Sequence, residues 1–94
     1  MAPNFQGKGG VTVGIYISGM FIATEYREYK ERSTLALMIA VVGDERTSMY
    51  RVYMDDRYTP DDFVAYKPGD DLRVKARPYV TKDGTLAWAD GELD

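Results

Sequence analysis

The sequence predicts an all-β protein: one closed, five-stranded barrel with a single short helix between its third and fourth strands. Two observations carry this prediction. Apolar and polar residues alternate over several short segments, which is the period of a half-buried strand. Turn-forming residues separate these segments, and a strong helix-start signal lies between the third and the fourth. The chain of 94 residues suffices for one modest core, and we expect a flexible arm over 1–10 and a folded domain over 11–94.

The first strand is predicted to be long and bent. Apolar residues occupy every second position from Val11 to Ile17, and the chain continues in extended form through Phe21–Tyr29. Gly14 and Gly19 interrupt this strand, and glycine inside a strand usually marks a bulge or a sharp bend. We expect these bends to let the strand curl around a barrel.

The second and third strands are predicted over Leu35–Val42 and Thr47–Met54, with polar turns before and between them. The three strands together read as an antiparallel meander. The second strand is apolar on both faces, so its outer face needs a cover in so small a domain. We therefore expect a homodimer. The outer apolar positions are Ala36, Met38, Ala40 and Val42.

The short helix is predicted to start at Thr59–Asp62, where a capping threonine precedes a proline and two acidic residues, and to end before Pro68–Gly69. Two strands follow over Leu72–Thr81 and Thr85–Asp90, joined by a tight turn over 82–84. Three strands, a short helix and two strands are the order of an OB-fold, a barrel that commonly binds oligonucleotides. An SH3-like barrel usually lacks that helix.

Composition argues against catalysis. The chain has no Cys and no His, which excludes disulfides, thiolate metal sites and the commonest general base. The acidic pairs Asp55–Asp56 and Asp61–Asp62 lack the glycine-bearing loop of a divalent-cation site, and helix capping accounts for the second pair. We expect no enzyme activity, no cofactor, no metal and no small-molecule substrate. No apolar run is long enough to cross a membrane and 1–10 lacks the pattern of a secretory signal, so we expect a cytoplasmic protein without a membrane partner.

Basic and aromatic residues concentrate in the first hairpin, on the third strand, and on and after the fourth strand. In the fourth strand, inward apolar positions alternate with outward basic ones. The outward residues form a basic stripe that ends in a tyrosine. Cations that contact phosphates and rings that stack on bases together favour binding of single-stranded nucleic acid. The candidate site residues are Tyr26, Arg27, Tyr29, Lys30 and Arg32 in the first hairpin, Arg51 and Tyr53 in the third strand, and Arg73, Lys75, Arg77, Tyr79 and Lys82 in and after the fourth.

The net charge of −3 opposes this function, because phosphate binding depends on Lys and Arg releasing counterions. In the sequence, however, the acidic residues lie around the helix, in the turn after the second strand and at the C-terminus. We therefore predict that they are separated from the basic face, where the local potential governs contact with DNA.

One part of the chain resembles a known family. The segment FVAYKPGDDLRVKAR at 63–77, followed by TKDGT at 81–85, is similar to the helix end, fourth strand and hairpin of single-stranded-DNA-binding OB proteins, and the size matches the small gene V type of phages and mobile elements. The resemblance covers the pattern from Val11 to Leu93. It implies cooperative, sequence-nonspecific binding of single-stranded DNA by a dimer, in DNA replication or recombination of such an element.

Each assignment has an alternative. The alternating cations of the fourth strand can form a merely solvated face, Tyr53 and Tyr79 can cap the barrel, and exposed rings in the first hairpin can contact another copy. Trp88 shares the parity of Leu86, which favours the core over base stacking, and Tyr66 is expected to pack the helix onto the barrel. A protein-interaction barrel and an RNA-binding OB domain are the alternative functions, since stacking and phosphate contacts are common to both nucleic acids.

Overall fold

Five segments of alternating apolar and polar residues form the strands of a closed barrel. The computed structural model describes residues 14–94, so the predicted arm over 1–10 and the strand start at 11–13 lie outside the described residues. The strands are β1 (Ile15–Tyr29), β2 (Arg32–Val42), β3 (Thr47–Met54), β4 (Asp71–Val80) and β5 (Leu86–Leu93). Their order around the barrel is β1-β2-β3-β5-β4, and β4 pairs again with β1. The predicted OB-like barrel is thereby confirmed.

Strand pairing is antiparallel except at one seam. β1 pairs with β2 and with β4, β2 pairs with β3, and β4 pairs with β5, all in antiparallel register. β3 and β5 run parallel, with Val52 opposite Trp88 and Met54 opposite Gly91. The first three strands form the predicted antiparallel meander, and the fifth strand closes the barrel against the third one.

β1 pairs with both β2 and β4 because it bends. Its first part, up to Met20, pairs with β4, and the register with β2 shifts between Phe21 and Ala23. Gly19 lies just before this bulge. A Cβ atom there would lie 2.9 Å from Cγ2 of Ile39 and closer still to the carbonyl oxygen of Ala40, so no larger residue fits without displacing β2.

The core lies inside the barrel, on inward positions of β1 to β4, and Trp88 and Leu93 of β5 pack against it. Leu37, Ile39, Val52 and Val74 are completely or almost completely buried. Burial of such a side chain stabilises the fold by about 1.5–3 kcal/mol each. Around them, the remaining large core residues are Ile17, Phe21, Leu35, Met54, Phe63 and Leu72.

The predicted helix is shorter than expected. It is a four-residue 3-10 turn over Pro60–Phe63, in which the backbone N–H of Thr59 donates to Oδ2 of Asp62 at 2.8 Å. Phe63 is buried, and its ring lies 5.8 Å from that of Tyr66, which in turn lies 5.5 Å from Phe21. The expected packing of Tyr66 against the barrel is therefore confirmed.

The outer face of β2 is less open than its composition suggests. Ala36 and Ala40 are buried and Met38 is half-buried, so only Val42 of the four apolar positions is fully exposed, at 65%. Small side chains at two of the four positions leave little apolar surface to cover. The homodimer, which was inferred from this face, stays a prediction.

Candidate nucleic-acid interface

A groove crosses the outside of the barrel next to the turn between β1 and β2. On one side it is lined by Tyr26, Arg27 and the residues from Glu31 to Ala36. Tyr53 and Arg51 of β3 form its floor, and Tyr79 of β4 lies on the far side together with Asp90. We call this surface the first groove.

A second depression, the aromatic cleft, adjoins the first groove. The two share Arg51, Tyr53 and Tyr79, so they form one continuous surface from the β1–β2 turn to the β4–β5 turn. The cleft exists because the pairing of β3 with β5 starts only at Val52 and Trp88. Before that point the two parallel strands diverge. The cleft is lined by Met49, Tyr50, Arg51, Tyr53, Tyr79, Thr81, Lys82, Asp83, Thr85, Leu86, Ala87 and Trp88.

Trp88 lines the cleft and is absent from the predicted site residues. It is half-buried and packs partly against the core, as its parity with Leu86 predicted, but it also lines the cleft. Its ring stacks on that of Tyr50, with centroids 6.0 Å apart and an angle of 24° between the ring planes. Leu86, whose parity carried the prediction, is itself 56% exposed and also lines the cleft. The position near the strand end, where the barrel opens, is the signal that could have placed Trp88 in the cleft.

The β4–β5 turn is held rigid by its own polar groups. The hydroxyl of Thr81 donates to the carboxylate of Asp83, which also accepts the backbone N–H of Thr85 at 3.2 Å. These hydrogen bonds, first that from Thr81 and then those from Thr85, lower the pKa of Asp83. Gly84 supplies the left-handed conformation that the turn needs, with φ at 88°. Lys82 is thereby held at the rim of the cleft.

The β1–β2 turn carries the opposite rim. Tyr26 is 46% exposed and donates a hydrogen bond to Oε2 of Glu28 at 3.1 Å. Arg27 and Arg32 are exposed, line the first groove and form no salt bridge within residues 14–94. Tyr29 is the last residue of β1, and Lys30, with φ at 56°, is the first residue of the turn.

Arg51 lines both the first groove and the aromatic cleft, and Glu25 orients its side chain. Its Nε lies 3.0 Å from Oε1 of Glu25 and its Nη2 lies 3.5 Å from Oε2, a bidentate contact that fixes the plane of the guanidinium. Half of the Arg51 side chain remains exposed, at 47%. It is therefore accessible to a ligand in either depression.

The basic stripe of β4 corrects the prediction that acids and cations are separated. Arg73 forms a salt bridge with Asp94 at 3.1 Å, and Arg77 forms one with Asp90 at 2.7 Å. β5 runs antiparallel beside β4, with a register shift between Lys75 and Arg77. The C-terminal acids, which are distant in sequence, therefore lie directly beside the basic stripe.

The structure thus divides the predicted site residues into three sets. The first set lines the groove or the cleft and comprises Tyr26, Arg27, Arg32, Arg51, Tyr53, Tyr79 and Lys82. The second set lies at the β1–β2 turn and comprises Tyr29 and Lys30. The third set lies on the outer face of β4, outside both linings, and comprises Arg73, Lys75 and Arg77.

Charge also distinguishes the two depressions. Among residues 14–94, the first groove is lined by three arginines but also by five acidic residues. The lining of the aromatic cleft within the same residues has Arg51 and Lys82 against the acid Asp83, together with the rings of Tyr50, Tyr53, Tyr79 and Trp88. The cleft is therefore the part of the surface better suited to a polyanion with flat, apolar bases.

Across residues 14–94, acidic side chains do not come together in groups of three or more that could hold a metal ion. Within the same residues there is no helix of the length and apolarity that crossing a membrane requires. Comparison of the chain with protein-family models and with curated proteins found no match.

Proposed function

We propose that this protein binds single-stranded DNA without sequence preference, in the surface that runs from the β1–β2 turn to the β4–β5 turn. The observation that carries the proposal is the aromatic cleft, where four rings and two cations converge beside the opening between β3 and β5. The resemblance of the sequence to gene V-type proteins extends the proposal to replication or recombination of a phage or mobile element.

Base stacking is the main contribution that the cleft supports. Trp88 already stacks on Tyr50, so its remaining exposed surface presents a preformed platform to a base. Tyr53 and Tyr79 are half-buried, which limits their freedom and reduces the entropy lost when a base stacks on them. Every base has an aromatic face, so stacking of this kind is tolerant of sequence. Duplex DNA keeps its bases stacked internally and cannot use these rings.

Phosphate contacts are the smaller contribution. Arg27 and Arg32 line one end of the surface and Lys82 lies at the other, and none of the three is in a salt bridge within residues 14–94. A few such cations at the rims suffice to orient a strand whose bases face the cleft. Binding that depends mainly on stacking is compatible with the negative net charge of the chain.

A protein ligand is the second candidate. Met49 and Leu86 line the cleft and are 49% and 56% exposed, so the cleft also presents aliphatic surface. An apolar side chain of a partner protein would fit such a surface, whereas a nucleic acid uses it only in part. The experiment below separates the two functions.

Intrinsic fluorescence provides a direct test. The chain has one tryptophan, Trp88, so its emission reports on the cleft. We expect titration with oligothymidylate to quench this emission, and duplex DNA of the same length to bind much more weakly. An RNA oligonucleotide of matched sequence gives the preference between the two nucleic acids. Unchanged emission and no shift of a labelled oligonucleotide would contradict the proposal and favour the protein ligand.

Variants assign the site. Tyr53→Leu and Tyr79→Leu should each weaken binding by about 1–3 kcal/mol, the usual value of one base stacked on a ring. Tyr16→Leu is the matched control, because Tyr16 is also an exposed tyrosine, at 47%, but lines neither depression. Equal losses in all three variants would show that the effect is not specific to the cleft.

A further inference from the structure

The outer face of β4 continues the candidate interface beyond the first groove. Its successive outward residues are Tyr79, Arg77, Lys75 and Arg73. Tyr79 lines both depressions, and Arg77 is bonded to Asp90, which lines the first groove. A strand that leaves the groove past Tyr79 therefore meets this row of three cations.

Asp90 of β5 and Asp94, which follows this strand, form salt bridges with two of these cations. The Nε of Arg77 donates to Oδ2 of Asp90, and Arg73 lies against Asp94 while its guanidinium is 4.2 Å above the ring centroid of Tyr16. All four charged side chains keep about half of their surface exposed. Exposed ion pairs of this kind are weak and exchange readily with other ions.

We propose that the outer face of β4 is a second phosphate-contact surface for the same single strand, and that Asp90 and Asp94 restrict its use by occupying Arg77 and Arg73. The inference rests on the proposed function. A phosphate must displace a carboxylate to reach either arginine, and the displaced carboxylate stays close by and repels it. In the native chain this face therefore adds little to affinity. Removal of the two carboxylates opens it.

The test is the double variant D90N/D94N. Both amides keep the size of the carboxylate, and asparagine accepts the left-handed backbone of Asp90, whose φ is 56°. Two additional phosphate contacts should steepen the log-log salt dependence of oligothymidylate binding by about 1.4, at about 0.7 for each contact on a single strand. Relative to the native chain, a slope change of that size tightens binding by about 25-fold more at 0.1 M salt than at 1 M salt.

The matched control is D44N/E45Q. It changes the net charge by the same amount, but Asp44 and Glu45 lie in the turn between β2 and β3 and line neither depression. We expect its salt dependence to equal that of the native chain. In addition, R73Q/R77Q should change little in the native chain and should abolish the gain in the D90N/D94N background.

Three results overturn the inference. D90N/D94N can bind with the affinity and slope of the native chain, the control can show the same gain, or the gain can persist after R73Q/R77Q. Thermal unfolding of every variant verifies that it is folded. If the native chain binds oligothymidylate and D90N/D94N shows no gain, only this inference fails. If neither binds, the proposed function fails and the inference fails with it.

Discussion

The barrel carries aromatic side chains where β4 begins and where it ends, and the two places use them differently. Where β4 begins, the ring of Phe63 in the 3-10 turn packs against the rings of Tyr66 and Tyr58, and only 3% of Phe63 is exposed. At the end, Tyr50 and Trp88 stack on each other but line an open cleft. Residue type is similar at both places. The 3-10 turn covers the rings at the first place, whereas the divergence of β3 from β5 leaves those at the second place in an open cleft.

The closed end should be the more sensitive to substitution. Phe63→Ala removes a buried ring and leaves a cavity under the 3-10 turn, so we expect the free energy of unfolding to fall by about 3–5 kcal/mol in urea denaturation. Val64→Ala next to it is the control, because Val64 is 77% exposed and the change should stay within about 0.5 kcal/mol. Similar losses in both variants would contradict the assignment of Phe63 to the core.

Trp88→Leu should change the affinity for an oligonucleotide more than the free energy of unfolding. Loss of the stacking platform should weaken binding of a labelled oligothymidylate by about 1–3 kcal/mol, measured by fluorescence anisotropy. Trp88→Phe keeps a ring and should retain most of the affinity. The unfolding free energy should fall less than in Phe63→Ala, since Trp88 is only half-buried. A variant that loses stability but keeps its affinity would show that Trp88 belongs to the core alone.

The open end also predicts a shallow salt dependence for the native chain. Within residues 14–94, three cations that line the surface form no salt bridge, namely Arg27, Arg32 and Lys82, and each phosphate contact on a single strand contributes about −0.7 to the log-log slope. We expect a slope of about −2 in titrations at several salt concentrations. A slope of about −3.5 or steeper would mean that the two paired arginines of β4 already contact phosphates in the native chain.

The smallest effect concerns the rim of the cleft. Hydrogen bonds from Thr81 and Thr85 lower the pKa of Asp83 in the folded state, whereas the unfolded chain has the ordinary value near 3.8. A lowered pKa means that this carboxylate stabilises the fold above the unfolded value, and the contribution is lost as pH falls through the folded one. Thermal unfolding between about pH 5 and pH 2 should therefore show a smaller acid-induced loss in Asp83→Asn than in the native chain. Identical profiles would contradict this.

Local patterns were enough to predict the strands. β3 spans Thr47–Met54, as the alternation of its residues predicts, because the inward positions Val52 and Met54 are set by a period of two. The start of the helix was also predicted from a local signal, but the predicted end, before Pro68–Gly69, was wrong. The 3-10 turn already ends at Phe63.

The charges and the cleft could not be predicted in the same way. The salt bridge between Arg77 and Asp90 depends on the register of β5 against β4, which shifts at this point, and no pattern within either strand reports that shift. Likewise, the parity of Trp88 identifies its side of the sheet. The divergence of β3 from β5, which exposes it, is a property of two segments that are far apart in the chain.

The parallel seam between β3 and β5 has a consequence for folding kinetics. The hairpins β1–β2 and β2–β3 join neighbouring segments and need only short loops to close, whereas the pairs β1–β4 and β3–β5 join distant ones. Contacts between distant segments cost more chain entropy and form later. We expect the three-stranded meander to form first and both distant pairs to close after it. The aromatic cleft lies at the β3–β5 seam, so it comes into existence only after the meander, and a ligand bound there would stabilise the completed barrel.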